Sequence, residues 1–193
     1  MGPSETSKQQ IMTREGFWLF AYGSLMARPR LPWRGRMEAT MPGWTRRFWQ
    51  GSHDHRGRPG APGRVLTLVP EPDRGAPPCV GFLYFLPPAV ARGALTRLDY
   101  REKNGYVRTF HPVIDRFGTP REALVYLAGP GNPAWLGPAP LSDLAAQICA
   151  AEGPSGTNTA YLFDLHRTLA RLGLEDPHVS DLVGAVRARL NPA

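Results

Sequence analysis

The sequence has few cysteines and no long apolar segment, and these absences exclude several classes of protein. Cys79 and Cys149 are its two cysteines among 193 residues, too few for the disulfide framework of a small secreted domain or for a cysteine-rich zinc site. We expect both to be buried free thiols in a reducing compartment. No window approaches the ~20 apolar residues of a transmembrane helix, and residues 1–16 lack the apolar region of a signal peptide. The sequence therefore predicts a disordered start over residues 1–16, a cytoplasmic protein and no membrane partner.

Motifs of two common enzyme classes are also missing. The chain has neither the Gly-x-x-x-x-Gly-Lys loop that holds phosphates nor the Gly-x-Ser-x-Gly turn that carries a nucleophilic serine. Acidic residues number 16 against 23 lysines and arginines, which gives a formal net charge of +7. The basic residues are spread along the chain, so the charge is compatible with an acidic small-molecule substrate as well as with nucleic acid.

The sequence does contain a strand-rich first half and a helical C-terminal third, which indicate an α+β fold rather than alternating α/β units. Its length is sufficient for one core, and we predict a single domain over residues 17–193. Apolar runs predict strands at residues 17–22, 44–49, 64–69, 79–86, 106–115 and 122–128. Helical spacing predicts a helix over 88–103, one capped by Ser142, one bearing residues 161–169, and one starting at Asp176. Proline and glycine predict connections at residues 27–36, 51–63, 117–120 and 129–140.

The apolar strand that begins at Phe17 ends abruptly in the turn formed by Tyr22, Gly23, Ser24 and Leu25. Glycine permits a tight turn, and serine can form local hydrogen bonds. A strand that ends in this way leaves several backbone N–H groups pointing in one direction, and such a concavity binds anions. The turn is therefore predicted to hold a carboxylate or a phosphate, with Ser24 acting as a turn residue rather than as a nucleophile.

Glu102 is the carboxylate best placed in the sequence for proton transfer. It lies where the predicted helix meets the helix-ending residues Asn104 and Gly105. If it is buried at the edge of a pocket, its pKa rises, and it can act as both base and acid near neutral pH. The pattern alone favours the alternative, an exposed and solvated helix end.

Two further segments suggest other chemistry. Residues 52–55 bring Ser, His, Asp and His together, but triad members come from separate elements, and two histidines without a third ligand make a weak metal site. A hydrogen-bonded loop is the favoured interpretation, and we expect no metal. Residues 46–49, with Arg56 and Arg58, interleave basic and aromatic side chains as single-stranded RNA binders do. The same pattern is typical of core aromatic residues flanked by charges, and we expect no nucleic-acid partner.

Three sets of motifs, taken in order, resemble one family. The first set is Tyr22-Gly23-Ser24-Leu25, Arg46-Arg47-Phe48-Trp49-Gln50-Gly51-Ser52, Asp54-His55-Arg56-Gly57 and Pro62-Gly63-Arg64-Val65. The second is Leu98-Asp99-Tyr100-Arg101-Glu102-Lys103 with Gly105-Tyr106. The third is Gly153-Pro154-Ser155-Gly156, Asn158-Thr159, Tyr161-Leu162, Leu172-Gly173 and His178-Val179. Together they resemble the ChaC-type, glutathione-specific γ-glutamylcyclotransferases from about Phe17 to Leu190.

This resemblance implies a fold, a reaction and a set of site residues. The fold is a γ-glutamylcyclotransferase-like mixed β-barrel with flanking helices. The reaction cleaves glutathione to 5-oxoproline and cysteinylglycine without a cofactor, with Glu102 as the general acid and base. The turn of Tyr22, Gly23, Ser24 and Leu25 then binds the γ-glutamyl group, and Tyr106 lines the pocket.

The sequence departs from the family pattern at Asn104, Ala160 and Ala27. Asn104 stands where glycine is usual, and asparagine tolerates a left-handed backbone. Ala160 and Ala27 replace a common glutamate and a frequent tryptophan, which affects the expected preference for substrate more than the reaction. A cyclotransferase for other γ-glutamyl amines or dipeptides is therefore the alternative enzyme, and an RNA-binding module is the alternative from another class.

Overall fold

A computed structural model describes residues 14–26, 29–71 and 77–192. The strands are Phe17–Ala21 (β1), Gly35–Met41 (β2), Trp44–Ser52 (β3), Gly63–Pro70 (β4), Cys79–Leu86 (β5), Val107–Asp115 (β6), Pro120–Leu127 (β7), Glu152–Gly153 (β8) and Gly156–Thr157 (β9). The helices are Pro88–Arg101 (α1), Leu141–Ala150 (α2), Asn158–Arg171 (α3) and Pro177–Leu190 (α4), and a 3-10 turn spans Ser24–Met26. The fold is α+β, as the order of strands and helices predicts. Most of the predicted disordered start, residues 1–13, lies outside the described residues.

The first of two compact units contains α1 and a closed barrel with the strand order β1-β5-β2-β6-β7. β1 is antiparallel to β5, with Phe17 opposite Leu86, and parallel to β7, with Trp18 opposite Ala123. Apolar side chains fill it, and Leu19, Leu83 and Leu124 are fully buried. The mixed β-barrel implied by the family resemblance is confirmed.

Strand β2 is absent from the sequence prediction, which treated residues 27–36 as a connection and assigned no strand between residues 22 and 44. It pairs along its whole length with β5 and also pairs with β6. Its side chains alternate between the two faces, and those of Arg36 and Glu38 are exposed. Seven residues with charges on one face give a weak apolar signal, so pairing with neighbouring strands defines this element more than its composition does.

The second unit contains the β3–β4 hairpin and helices α2, α3 and α4. The last helix starts at Asp176 and Pro177 as predicted, and Asp176 caps it, since its carboxylate accepts a hydrogen bond from the N–H of Val179 at 3.1 Å. The prediction that Ser142 caps α2 is wrong. The helix begins at Leu141 after Pro140, and the Ser142 hydroxyl lies 3.2 Å from the Asp143 carboxylate.

The two cysteines are free thiols, but only Cys79 is buried, and Cys149 is half-buried. The expectation of two buried thiols is therefore half correct. Among the described residues, no helix combines the length and apolar character that crossing a membrane requires. The single domain over residues 17–193 stays a prediction.

Candidate active site

The turn that follows β1 is fixed from two sides within the first unit. The Met26 N–H donates to the Gly23 carbonyl at 2.9 Å, which closes the 3-10 turn. The Tyr84 hydroxyl donates to the Met26 carbonyl at 2.8 Å. Leu25 and Met26 are buried, whereas Ser24 is exposed. The first N–H groups of such a turn have no acceptor inside it, so those of Ser24 and Leu25 are the backbone donors that an anion would use.

Tyr22 is hydrogen-bonded to β7, the last strand of the barrel in the sequence. Its side chain is buried, and its hydroxyl donates to the Tyr126 carbonyl on β7 at 2.7 Å. A buried tyrosine hydroxyl needs a hydrogen-bond partner, and this one joins the start of the turn to β7.

Glu102 lies at the C-terminal end of α1. The helix ends at Arg101, two residues earlier than predicted, and the Glu102 N–H donates to the Leu98 carbonyl at 2.8 Å. The Glu102 side chain is 17% exposed, so the alternative of a fully solvated helix end is wrong for this residue. Burial raises the pKa of Glu102 above the ordinary value of 4.5, and the charge of Arg101 acts in the opposite direction.

Arg101 joins Glu102 to the turn. Its Nη2 donates to the Ser24 hydroxyl at 2.8 Å, and its Nε lies 3.3 Å from Glu102 Oε1. The two regions that the sequence singled out, 77 positions apart at these contacts, therefore meet in one place within the first unit. Sequence reasoning missed Arg101 as a site residue, and its one available signal was its position next to Glu102.

A second hydrogen-bond network, which the sequence did not predict, joins Tyr126, Asp99 and Arg108. The Tyr126 hydroxyl donates to Asp99 Oδ1 at 2.7 Å, and Arg108 Nη1 donates to Asp99 Oδ2 at 2.8 Å. Burial and the Asp99 hydrogen bond raise the pKa of Tyr126, and the negative charge of Glu102 adds to this effect. Tyr126 therefore stays a neutral hydroxyl near Glu102.

The loop after Glu102 belongs to the second unit, where it is fastened to β3. The Asn104 carbonyl accepts from Gln50 Nε2 at 3.0 Å, and its side-chain amide donates to the Gly51 carbonyl at 2.8 Å. The left-handed residue is Gly105, with φ of 79°, and not Asn104. The Tyr106 hydroxyl donates to the Leu66 carbonyl at 2.6 Å. That Tyr106 lines the substrate pocket stays a prediction.

The other two departures from the family pattern have different outcomes. Ala27 lies outside the described residues. Ala160 is exposed in the first turn of α3, where its N–H donates to the Thr157 hydroxyl that caps the helix. Its effect on substrate preference stays a prediction.

Residues 52–55 form the hydrogen-bonded loop that the sequence favours. The Ser52 hydroxyl accepts from the Arg56 N–H at 3.0 Å, and His55 Nδ1 shares a hydrogen bond of 2.9 Å with the Ser155 hydroxyl. Within the described ranges, no group of three or more His, Cys, Asp or Glu side chains is arranged to hold a metal ion.

Two central residues of the basic-aromatic segment, Arg46 and Phe48, are buried, and Arg46 and Arg47 are both paired within the protein. Arg46 is 2% exposed and pairs with Asp176 at 3.1 Å. Arg47 pairs with Glu71 at 3.1 Å, and Phe48 is fully buried. These side chains fasten the second unit together, which removes the main observation behind the RNA-binding alternative.

Comparisons with known proteins agree with the fold and the motifs. A family model described as ChaC-like protein matches residues 17–189. Gamma-glutamylcyclotransferase 2-3 from Arabidopsis thaliana is 39% identical, and the alignment covers 88% of each chain. Glutathione-specific gamma-glutamylcyclotransferase 1 from Homo sapiens is 38% identical over 97% of this chain and 87% of that one. The crystal structure of a yeast γ-glutamyl cyclotransferase specific to glutathione superposes with a TM-score of 0.82 at 29% identity, covering 89% of this chain and 95% of the yeast chain.

Proposed function

Because this chain belongs to the ChaC-like protein family, we propose that it cleaves glutathione to 5-oxoproline and cysteinylglycine. Relatives named as glutathione-specific γ-glutamylcyclotransferases match nearly the whole chain. The structural observation that carries the proposal is the Arg101 bridge, which brings the Ser24 turn and the Glu102 carboxyl together in one unit. The reaction takes place in the cytoplasm, consistent with the two free thiols.

The reaction needs no nucleophile from the protein, because glutathione carries its own. The α-amine nitrogen of the γ-glutamyl group attacks the γ-carbonyl carbon and closes a five-membered ring, and the bond between that carbon and the cysteinyl nitrogen breaks. Ring closure within one molecule removes much of the entropic barrier. The protein therefore has to fold the substrate and move a proton from the attacking nitrogen to the departing one.

Glu102 is the group that moves the proton. As a carboxylate it accepts the proton from the α-amine, and as a carboxylic acid it returns it to the cysteinyl nitrogen. Its partial burial supports this role, because burial raises the pKa of Glu102, and a carboxylate with a raised pKa is a stronger base.

The turn of Tyr22, Gly23, Ser24 and Leu25 holds the γ-glutamyl group. Its backbone N–H groups bind the α-carboxylate and stabilise the oxyanion that forms during the attack. Tyr106, four residues after Glu102, lines the pocket.

Release of 5-oxoproline from glutathione by the purified protein tests this function. Glu102→Gln keeps the size of the side chain but cannot accept the proton, so we expect the product to fall to the uncatalysed level while the circular dichroism spectrum is unchanged. Glu38→Gln, which removes a carboxylate from an exposed position on β2, is the matched control and should keep full activity. Normal turnover by Glu102→Gln would exclude the assigned role.

A panel of γ-glutamyl compounds distinguishes a glutathione-specific cyclotransferase from one that acts on other γ-glutamyl amines or dipeptides. Measuring 5-oxoproline with glutathione, γ-glutamyl dipeptides and γ-glutamyl amines at equal concentration gives the preference directly. Faster release from a compound other than glutathione would identify a cyclotransferase with a different substrate.

A further inference from the structure

We propose that Arg101 binds the α-carboxylate of the γ-glutamyl group and, in doing so, leaves Glu102. This inference rests on the proposed function and assigns to it a residue that determines specificity and couples substrate binding to the proton carrier. Arg101 would pair with Glu102 in the free protein and with the substrate in the complex.

The position of Arg101 is the first support. Its guanidinium already touches the turn, at the exposed Ser24 hydroxyl, through a hydrogen bond of 2.8 Å. Because the Ser24 hydroxyl is uncharged, this contact places the positive charge of Arg101 beside the turn, and Ser24 does not neutralise it. An anion held by the N–H groups of Ser24 and Leu25 would lie beside this charge.

The weakness of the Arg101–Glu102 ion pair is the second observation that supports the proposal. The contact runs from Nε at 3.3 Å between neighbouring residues, and the Arg101 side chain is 34% exposed. A partly exposed ion pair of this kind is weak. A carboxylate that accepts two parallel N–H groups from a guanidinium forms a stronger and more specific pair, so a substrate carboxylate competes favourably with Glu102.

When Arg101 leaves Glu102 for the substrate, Glu102 becomes a better proton acceptor. Glu102 pairs with Arg101 and interacts electrostatically with Tyr126 on β7, while Asp99 is bound by the Tyr126 hydroxyl and by Arg108 from β6. Arg101 is the group that lowers the pKa of Glu102. When Arg101 turns to the substrate, the effect of burial remains, and Glu102 becomes a stronger base when an amine is present to be deprotonated.

Calorimetric titration of the Glu102→Gln protein tests the carboxylate contact without turnover. The two probes are glutathione and 4-aminobutyryl-cysteinylglycine, which lacks the α-carboxylate. We expect glutathione to bind about 10- to 100-fold more tightly, the range for a hydrogen-bonded charged pair. Adding Arg101→Gln should lower this ratio by about 10-fold or more, leaving only the part that the backbone N–H groups of the turn contribute. Adding Arg97→Gln, which removes an exposed charge from the same helix, should leave it unchanged. A ratio that survives Arg101→Gln would overturn the proposal.

The pH profile of the active protein tests the exchange itself. Because kcat/KM reports the free protein and kcat reports the complex, Arg101→Gln should move the acidic limb of kcat/KM to higher pH and leave the limb of kcat in place. An Arg101 that stayed on Glu102 in the complex would, when removed, move both limbs. A kcat limb that moves together with that of kcat/KM, or two unchanged limbs, would therefore overturn the exchange, whereas a wild-type protein that releases no 5-oxoproline would overturn the proposed function as well.

Discussion

At the scale of single residues, two opposing effects act on the pKa of Glu102. Partial burial disfavours its charged form, and the neighbouring Arg101 favours it, with burial having the larger effect. A carboxyl in such surroundings changes protonation state more readily near neutral pH than a solvated one. Its position at the end of α1, and not within the helix, gives its side chain access to the turn through Arg101.

This balance predicts a pH dependence. A proton acceptor must be ionised, so kcat/KM for glutathione should fall as the pH drops through the raised pKa of Glu102. We expect the acidic limb to lie above 4.5, the ordinary value for glutamate. The profile is measured from initial rates of 5-oxoproline release, with the folded fraction followed by fluorescence at each pH. A limb at or below the ordinary value would contradict the effect of burial.

The family motifs assign Glu102 and the turn to the site, which stays a prediction, but they do not indicate what joins the two. Each motif is a short local run of residues, whereas the pattern alone favoured a solvated helix end at Glu102. Arg101 and Tyr126 were missed because their importance lies in contacts with distant parts of the chain, such as the hydrogen bond that links Tyr22 to Tyr126 across 104 positions. A single sequence contains no signal for such pairs.

At the scale of elements, the loop after α1 is held in place by hydrogen bonds within the second unit. Asn104 is bonded on both sides to β3, and Asn132 Nδ2 also donates to its carbonyl at 3.2 Å. Gly105 then passes so close to Asn132 that a Cβ would lie 2.4 Å from its side-chain oxygen. That oxygen accepts from the Ala134 N–H at 2.8 Å, so Asn132 cannot move without losing hydrogen bonds.

Gly105→Ala should therefore destabilise the protein by more than backbone strain alone. Gly118 provides the matched control, since it has the same φ of 79° and nothing within 4 Å of the position that a Cβ would occupy. We expect Gly118→Ala to cost about 1 kcal/mol of unfolding free energy and Gly105→Ala about 2–4 kcal/mol. Urea denaturation measures both values. Equal losses of unfolding free energy in the two variants would show that the Asn132 side chain moves aside without destabilising the protein.

Of the five barrel strands, the sequence predicted β1, β5, β6 and β7 and missed β2. β5 and β7 were identified within two residues at each end, because buried strands have continuous apolar sequences. β2 was not, because its charged face resembles a connection. The fold class thus followed from the order of elements, and the closed barrel followed from the family resemblance rather than from any pattern of residues.

At the scale of the whole molecule, one half-buried histidine makes stability depend on pH. His178 lies in the first turn of α4, and its Nε2 accepts from the Phe48 N–H on β3 at 3.2 Å. Burial, with a smaller contribution from the charge of Arg47, lowers the pKa of His178 to about 4 from 6.5, while Asp176 and Asp181 oppose the shift. The folded protein therefore keeps this side chain neutral, and protonation would remove the acceptor.

The unfolded chain takes up a proton at His178 near pH 6.5, whereas the folded chain does so near pH 4. Stability from this group is complete above pH 6.5 and decreases as the pH falls towards 4, by about 3 kcal/mol in total. His178→Gln keeps an acceptor but cannot be protonated, so its unfolding free energy should depend less on pH in this window. Urea titrations at several pH values compare the two proteins, and parallel curves would rule out this contribution.

The parallel pairing of β1 with β7 also has a consequence for the time course of folding. β1 is the first strand of the barrel to leave the ribosome, and it gains its second neighbour only after more than a hundred further residues have been synthesised. Contacts of such large sequence separation form slowly. The turn behind β1 thus acquires its Tyr126 anchor at the last step of barrel closure, so catalytic competence arrives late, and until then a nascent chain exposes an apolar edge that chaperones can recognise.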